Sequence, residues 1–274
     1  MPLSVVDLYR DVLPKTNCGD CGFPTCLAFA SMVVSEQLPL ANCPHIDAET
    51  AARCQRTLTE QHAAGKWTRR DMAEDALVWA RERAASMALA DLPERIGGRL
   101  AGDGPDHLLV LPYFSGFLHI DADGVRNADG TPLTRWEQVF IYNHMAQGGR
   151  AAPSGRWKAF QEIPNTVSKI KSMRSHVEAP LAERFAGRLE ALADAASALG
   201  GEDMACENPS ADAAWRFQPL PRVPVMLLFW DREEEFDAKA GLLFDETVTE
   251  HLDIESILFL SERLVQLLCG ETAE

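Results

Sequence analysis

Apolar and polar residues alternate along the chain with two different periods, and the change of period divides it. Residues 25–36 carry apolar side chains at helical spacing and predict a first helix, with Pro24 in its opening turn. Residues 47–64 predict a second, with Asp47 as N-cap and Thr50 in its first turn, broken at Gly65-Lys66. Met72, Ala76, Trp79, Ala80 and Met87 continue the helical period through about Leu89, behind a cap at Thr68 or Asp71. Gly97-Gly98 and the 102–105 stretch then punctuate the chain.

Beyond that point strand signals dominate. Residues 107–111 and 116–120 read as strands, followed by turns at Asp123-Gly124 and Asp129-Gly130. Thr134 with Glu137 three residues on forms a capping box for a helix over 134–145, stopped at Gly148-Gly149. A short strand is expected over 155–160, and an Ala-rich helix over 180–199 with Gly200-Gly201 as its stop. Residues 215–217 and the apolar run 223–230 supply further strands, and 254–269 reads as an amphipathic closing helix. Strands and helices mixed without a βαβ repeat indicate an α+β fold. The expected organisation is a small, mostly helical module over 1–66 and a larger mixed α+β domain over 67–274.

The cysteines change the picture of the small module. Of seven, four follow the spacing Cys18-x2-Cys21-x4-Cys26-x16-Cys43; Cys54 is close behind, while Cys206 and Cys269 stand far apart. One dense set with scattered singles reads as a metal site rather than a disulfide framework. Gly19 and Gly22 follow the first two cysteines and permit the positive φ that turns backbone N–H groups toward sulfur. Cys26 falls at the positive end of the first helix, where a thiolate is favoured. The long gap closes geometrically. A 12-residue helix carries the chain away by roughly 18 Å, and an extended return over residues 37–42 reaches back about 20 Å. A closed zinc site usually has two short-spaced ligand pairs, and here only the first pair is short, with His45 the nearby alternative ligand. The spacing favours iron–sulfur, and Cys54 reads as a buried apolar residue rather than a fifth ligand.

The run from Cys18 to Ala30, Cys-Gly-Asp-Cys-Gly-Phe-Pro-Thr-Cys-Leu-Ala-Phe-Ala, followed by Cys43-Pro44, resembles a small four-cysteine iron–sulfur domain. That domain occurs in the large subunit of corrinoid iron–sulfur proteins and in the B subunit of the Rnf electron-transport complex. The resemblance covers roughly residues 1–60. It implies a low-potential [4Fe-4S] cluster on Cys18, Cys21, Cys26 and Cys43 that passes single electrons to a redox protein partner. The larger part resembles DUF3786, a domain found beside such modules in anaerobic bacteria and archaea. The match rests on the stretches 142–144, 155–160 and 229–236, with 243–245 and His251-Leu252 behind them. That resemblance conveys no activity.

Charge narrows the function classes. The net charge is −15, and 13 acids against 3 bases fall in residues 231–274, which argues against nucleic acid. No apolar run approaches a membrane span, and the first residues lack the basic start of a signal peptide; both predict a cytoplasmic protein without membrane insertion. Dinucleotide, phosphate-loop, nucleophile-elbow and HExxH signatures are absent. In the larger domain Asp231, Glu234, Glu235, Asp245 and His251 follow an apolar strand, and His119 and His144 are candidate axial ligands or proton donors. Trp157, Trp215 and Trp230 are candidates for an aromatic pocket holding a second, planar cofactor. For each of these a purely structural role is the competing reading. Three functions fit: an electron carrier whose larger domain recognises a partner or a ligand such as a tetrapyrrole, a reductase with its own small-molecule substrate, or a maturation or sensor protein with a structural cluster.

Overall fold

The computed structural model describes residues 3–66, 72–102 and 107–270. The chain forms two compact units, Met1–Asp71 and Met72–Glu274.

In the first unit a helical turn, Val5–Asp7, opens on a Ser4/Asp7 capping box and widens into a π-turn at Leu8–Val12. Helix α1, Cys26–Ser35, is capped by Thr25, whose hydroxyl accepts from the Ala28 N–H. Pro24 therefore lies just before the cap rather than in the first turn. The return to Cys43 is not fully extended: Leu40–Asn42 coil into a 3-10 turn. The side chain of Gln55 accepts the Leu40 N–H at 2.8 Å and ties that return to α2, Ala48–Ala63, capped by Asp47 as the sequence predicts. Leu8, Phe29, Ala30, Val33, Leu40 and Leu58 are fully buried and form this unit's own core.

The second unit contains two antiparallel sheets. Strands β1 (Arg99–Ala101), β2 (Leu108–Tyr113), β3 (Gly116–Asp121) and β4 (Gly124–Asn127) form a meander in sequence order. The second sheet runs β5-β9-β8-β7-β6, from β5 (Trp157–Ala159), β6 (Glu202–Asp203), β7 (Ala213–Leu220), β8 (Val223–Trp230) and β9 (Lys239–Asp245). Central β8 is buried at seven of eight positions, which explains its uninterrupted apolar sequence. The α+β class holds.

The longest described helices on the main core are α3 (Met72–Ala84), α4 (Arg135–Gln147) and α5 (Ile254–Cys269), with α4 packed against both others. The predicted caps at Thr68 and Asp71 lie outside the described residues. Helix α3 stops at Ala84, short of Leu89, where the Ser86 hydroxyl donates to the Arg83 carbonyl and the chain tightens into turns. The expected helix over 180–199 is two helices, Ala179–Phe185 and Leu189–Ala198. Gly187 breaks it, at φ +67° and with its N–H donated to Asp231 Oδ1 at 2.6 Å.

Helix α4 is buried at Glu137 and at every position from Val139 to Met145, so its polar residues need partners inside the protein. Asn143 donates to the Ser256 hydroxyl and accepts from Arg83. His144 and His251 are fully buried, with ring centroids 6.0 Å apart. Each donates one ring N–H to a carbonyl at 3.0 Å, His144 Nδ1 to His251 O and His251 Nε2 to Ala151 O. These bonds place a proton on His144 Nδ1 and on His251 Nε2, and the other nitrogens, His144 Nε2 and His251 Nδ1, have no partner among the described residues. Burial, first, lowers the His144 pKa to about 4, and it lowers His251 as well.

Two outcomes are expected. His144 takes up its proton more readily in the unfolded chain than in the folded one, so stability falls as pH drops from about 6.5 toward about 4. The loss is about 3 kcal/mol from this residue, read by denaturant titrations at several pH values. His144→Asn, which keeps a donor for the His251 carbonyl, should flatten that slope. Gly148→Ala should destabilise by on the order of 2 kcal/mol, because its Cβ would lie 2.2 Å from Ile96 Cγ2 and 2.6 Å from the His144 carbonyl. Gly149→Ala should be nearly neutral, since its Cβ would meet nothing closer than 3.4 Å. Thermal unfolding compares the two.

Candidate metal centre

The Cys18–Cys26 segment is held in shape by its own polar groups. Asn17 sits at φ +51°, and its Oδ1 accepts the Cys26 N–H at 2.8 Å, which fastens the start of the loop to the first turn of α1. Gly19 and Gly22 adopt φ of +83° and +86°, and the Gly22 N–H closes a turn onto the Gly19 carbonyl at 2.8 Å. No atom would obstruct a Cβ at either glycine, so backbone conformation alone requires them. Cys43 follows the 3-10 turn, and His45 just beyond it meets Asp20 of the loop at 2.6 Å. Hydrogen bonds from His45 and then Cys18 hold the Asp20 carboxyl below its usual range.

Cys26 and Cys43 are buried, Cys21 is half-buried and Cys18 is exposed; none is in a disulfide. Burial raises the Cys43 thiol, a backbone hydrogen bond at His45 opposes this, and Cys21, Cys26 and Cys18 each add charge repulsion. Cys43 thus lies near the other three predicted ligands, and Cys26, Cys43 and Cys54 all belong to the unit's core. Gathering thiolates in one place is unfavourable without positive charge among them, so this donor set fits an iron centre. Cys18, Asp20 and His45 also bring ligand atoms within 4.8 Å of one another, but the Asp20–His45 pair already explains that grouping.

The candidates in the larger domain do not converge. Asp245 is buried and accepts from the backbone or hydroxyl groups of Ser154, Gly155 and Thr247. Burial acts to raise its pKa, these hydrogen bonds outweigh it, and the carboxyl lies below its usual range. Asp231 accepts from Gly187 and Arg232, while Glu234 and Glu235 face solvent. His251 is committed to Ala151, and His119 sits half-buried in β3. The tryptophans do not share a pocket: Trp215 belongs to the main core, and Trp157 and Trp230 to a small cluster with Met204 and Met226. Reading the sequence missed Asn17 and the Asp20–His45 contact. An Asn next to the first cysteine and a His two residues past the last were the available signals.

Similarity to known proteins falls on the two units separately. Residues 13–45 match a family described as an Fe-S cluster family. The chain is 50% identical over 46 residues to the corrinoid/iron-sulfur protein large subunit of Moorella thermoacetica, covering 17% of this chain and 10% of that protein. It is 41% identical over 56 residues to the acetyl-CoA decarbonylase/synthase complex subunit gamma of Methanopyrus kandleri, covering 20% and 12%. The chain thus spans only a small fraction of these relatives' length. No solved structure matches it. Residues 88–267, more than half of the chain, match a domain of unknown function. This iron–sulfur protein belongs to the DUF3786 family.

Proposed function

We propose that Cys18, Cys21, Cys26 and Cys43 hold one [4Fe-4S] cluster and that the protein passes single electrons to a redox partner. The observation that carries this reading is that the Fe-S cluster family match, residues 13–45, contains Cys18, Cys21, Cys26 and Cys43 and stops short of Cys54. When bound, such a cluster supplies one-electron chemistry at low potential. The chain's own residues hold its ligands: Asn17 anchors the loop to α1, the two glycines shape the turn between ligands, and Gln55 places the return that carries Cys43. The corrinoid and acetyl-CoA decarbonylase/synthase names of the relatives, which match a fifth of this chain or less, support a protein partner in corrinoid-related metabolism, in anaerobes. None of the four candidate ligand cysteines is in a disulfide, which fits a reducing, cytoplasmic setting. Among the described residues no helix is long and apolar enough to cross a membrane. We take residues 1–66 as the cluster module and 67–274 as the recognition domain.

Anaerobic purification followed by iron, sulfide, zinc and cobalt analysis tests the assignment. Four irons per chain with matching sulfide are expected, whereas stoichiometric zinc without sulfide would overturn it. Cys43→Ala should lose most of the iron and the visible absorbance, and Cys54→Ala should keep both; equal loss would refute the ligand set. A redox titration followed by EPR should show a paramagnetic reduced form at low potential. A cluster that never cycles would leave a structural role and remove electron transfer.

A further inference from the structure

The second unit holds a cavity of about 470 Å³, within the ordinary range of small-molecule sites. Its buried end is formed by Tyr113, Glu137 and Arg263, and its walls by Phe114, Phe117, Leu199 and Leu267. None of these residues belongs to the metal centre.

The polar end is partly spent. Glu137 Oε1 accepts from the Tyr113 hydroxyl at 2.9 Å and lies 2.8 Å from Arg263 Nε, and Oε2 accepts the Thr134 N–H at 2.9 Å. Burial, then the Glu137 carboxylate, push the Tyr113 hydroxyl far up, so it remains a donor. Both carboxylate oxygens are therefore occupied. Arg263 is not: it has five N–H groups, and its contacts engage at most three of them. Nε is at ion-pair distance from Glu137 but lacks hydrogen-bond alignment, Nη1 makes a long 3.3 Å bond to Gln266, and Tyr113 supplies the third contact. Two donors have no partner among the described residues, on a side chain only 14% exposed. A buried group with unspent donors gains from a ligand that offers an acceptor.

The remaining lining says which acceptor. Glu137 and Asp129 outnumber Arg263, so the cavity carries a net negative charge and opposes a further anion. A neutral carbonyl oxygen meets both conditions. Phe117 stands 52% exposed at the wall, so its ring is open to a ligand. Phe114 is held at φ +47° in the two-residue turn between the paired residues Tyr113 and Gly116, where glycine is the usual choice. Its N–H is anchored to the Pro219 carbonyl at 3.0 Å. Phe114 also packs against the main core and lies edge-on to Tyr113 with ring centroids 4.8 Å apart, which fixes its ring at the cavity wall.

We propose that this cavity binds a small, neutral aromatic carbonyl compound, its ring against Phe114 and Phe117 and its oxygen accepting from Arg263. Ligand-observed NMR titrations of the full chain with benzamide, benzoate and benzylamine test it, the three probes sharing a ring and differing in charge. Benzamide should bind about tenfold more tightly than either of the others. Phe117→Ser, which removes an exposed side chain and leaves the fold intact, should weaken benzamide binding severalfold. The paired change Arg263→Met with Glu137→Gln, which avoids stranding a buried carboxylate, should remove the preference for benzamide. Leu199→Trp, placed to fill the cavity, should abolish binding. Failure of benzamide to bind, or equal binding of all three probes to the native chain, would overturn the proposal. So would benzamide binding unchanged by both Phe117→Ser and Leu199→Trp, whether or not the paired variant folds.

Discussion

The larger unit depends on a helix that has almost no solvent face. Helix α4 is buried at Glu137 and throughout Val139–Met145, yet it carries a carboxylate, an amide and an imidazole within that stretch. Each must find a partner inside the protein or cost more than its helix can recover. Glu137 takes Arg263 and Tyr113, Asn143 takes Ser256 and Arg83, and His144 takes the carbonyl of His251. Two of these bonds reach α5, one reaches α3, one reaches β2 and one the helical turn at His251, so satisfying α4 largely determines where its neighbours sit. An arrangement of this kind specifies a structure more than it adds to net stability, because every member must be paired at once.

The small unit solves a different problem by local means. A metal-binding loop must bring thiols together that repel when ionised, and must do so with a core of about a dozen buried side chains. Short-range polar contacts supply the order: Asn17 to Cys26, Gly22 to Gly19, Asp20 to His45, and Gln55 to Leu40. Two of the four cysteines are buried and two are accessible, so the centre is anchored on one side and open on the other.

The unit that belongs to DUF3786 contributes over 200 residues, with its own core, two sheets and a cavity. Holding a cluster in the small unit needs none of that, which is the reason to look for recognition there. The acidic segment that follows β8 does not provide it. Its carboxylates are either spent on backbone groups, as Asp231 and Asp245 are, or face solvent. The cavity beside α4 combines the two properties that segment lacks, apolar walls and unspent hydrogen-bond donors.

Much was legible in the sequence because it is written in local rules. The cysteine spacing, the glycines that need positive φ, the caps at Asp47 and Thr134, and the all-apolar β8 each follow from contacts a few residues apart, or from burial so complete that composition alone reveals it. The errors have the same root. The 180–199 stretch reads as one helix because its alanines favour one, and only Asp231, 44 residues away, shows why Gly187 ends it. Strands β1, β4, β6 and β9 lack a strong period, and pairing with distant neighbours forms them. Glu137 is visible in the sequence as half of a capping box, but its buried pairing with Arg263 and Tyr113 is not. The sequence by itself determined the α+β class, the candidate cluster cysteines and most of the principal helices and strands. Tertiary structure alone decided which polar residues are spent on holding the fold and which remain available for a ligand, because that depends on partners brought together from far along the chain.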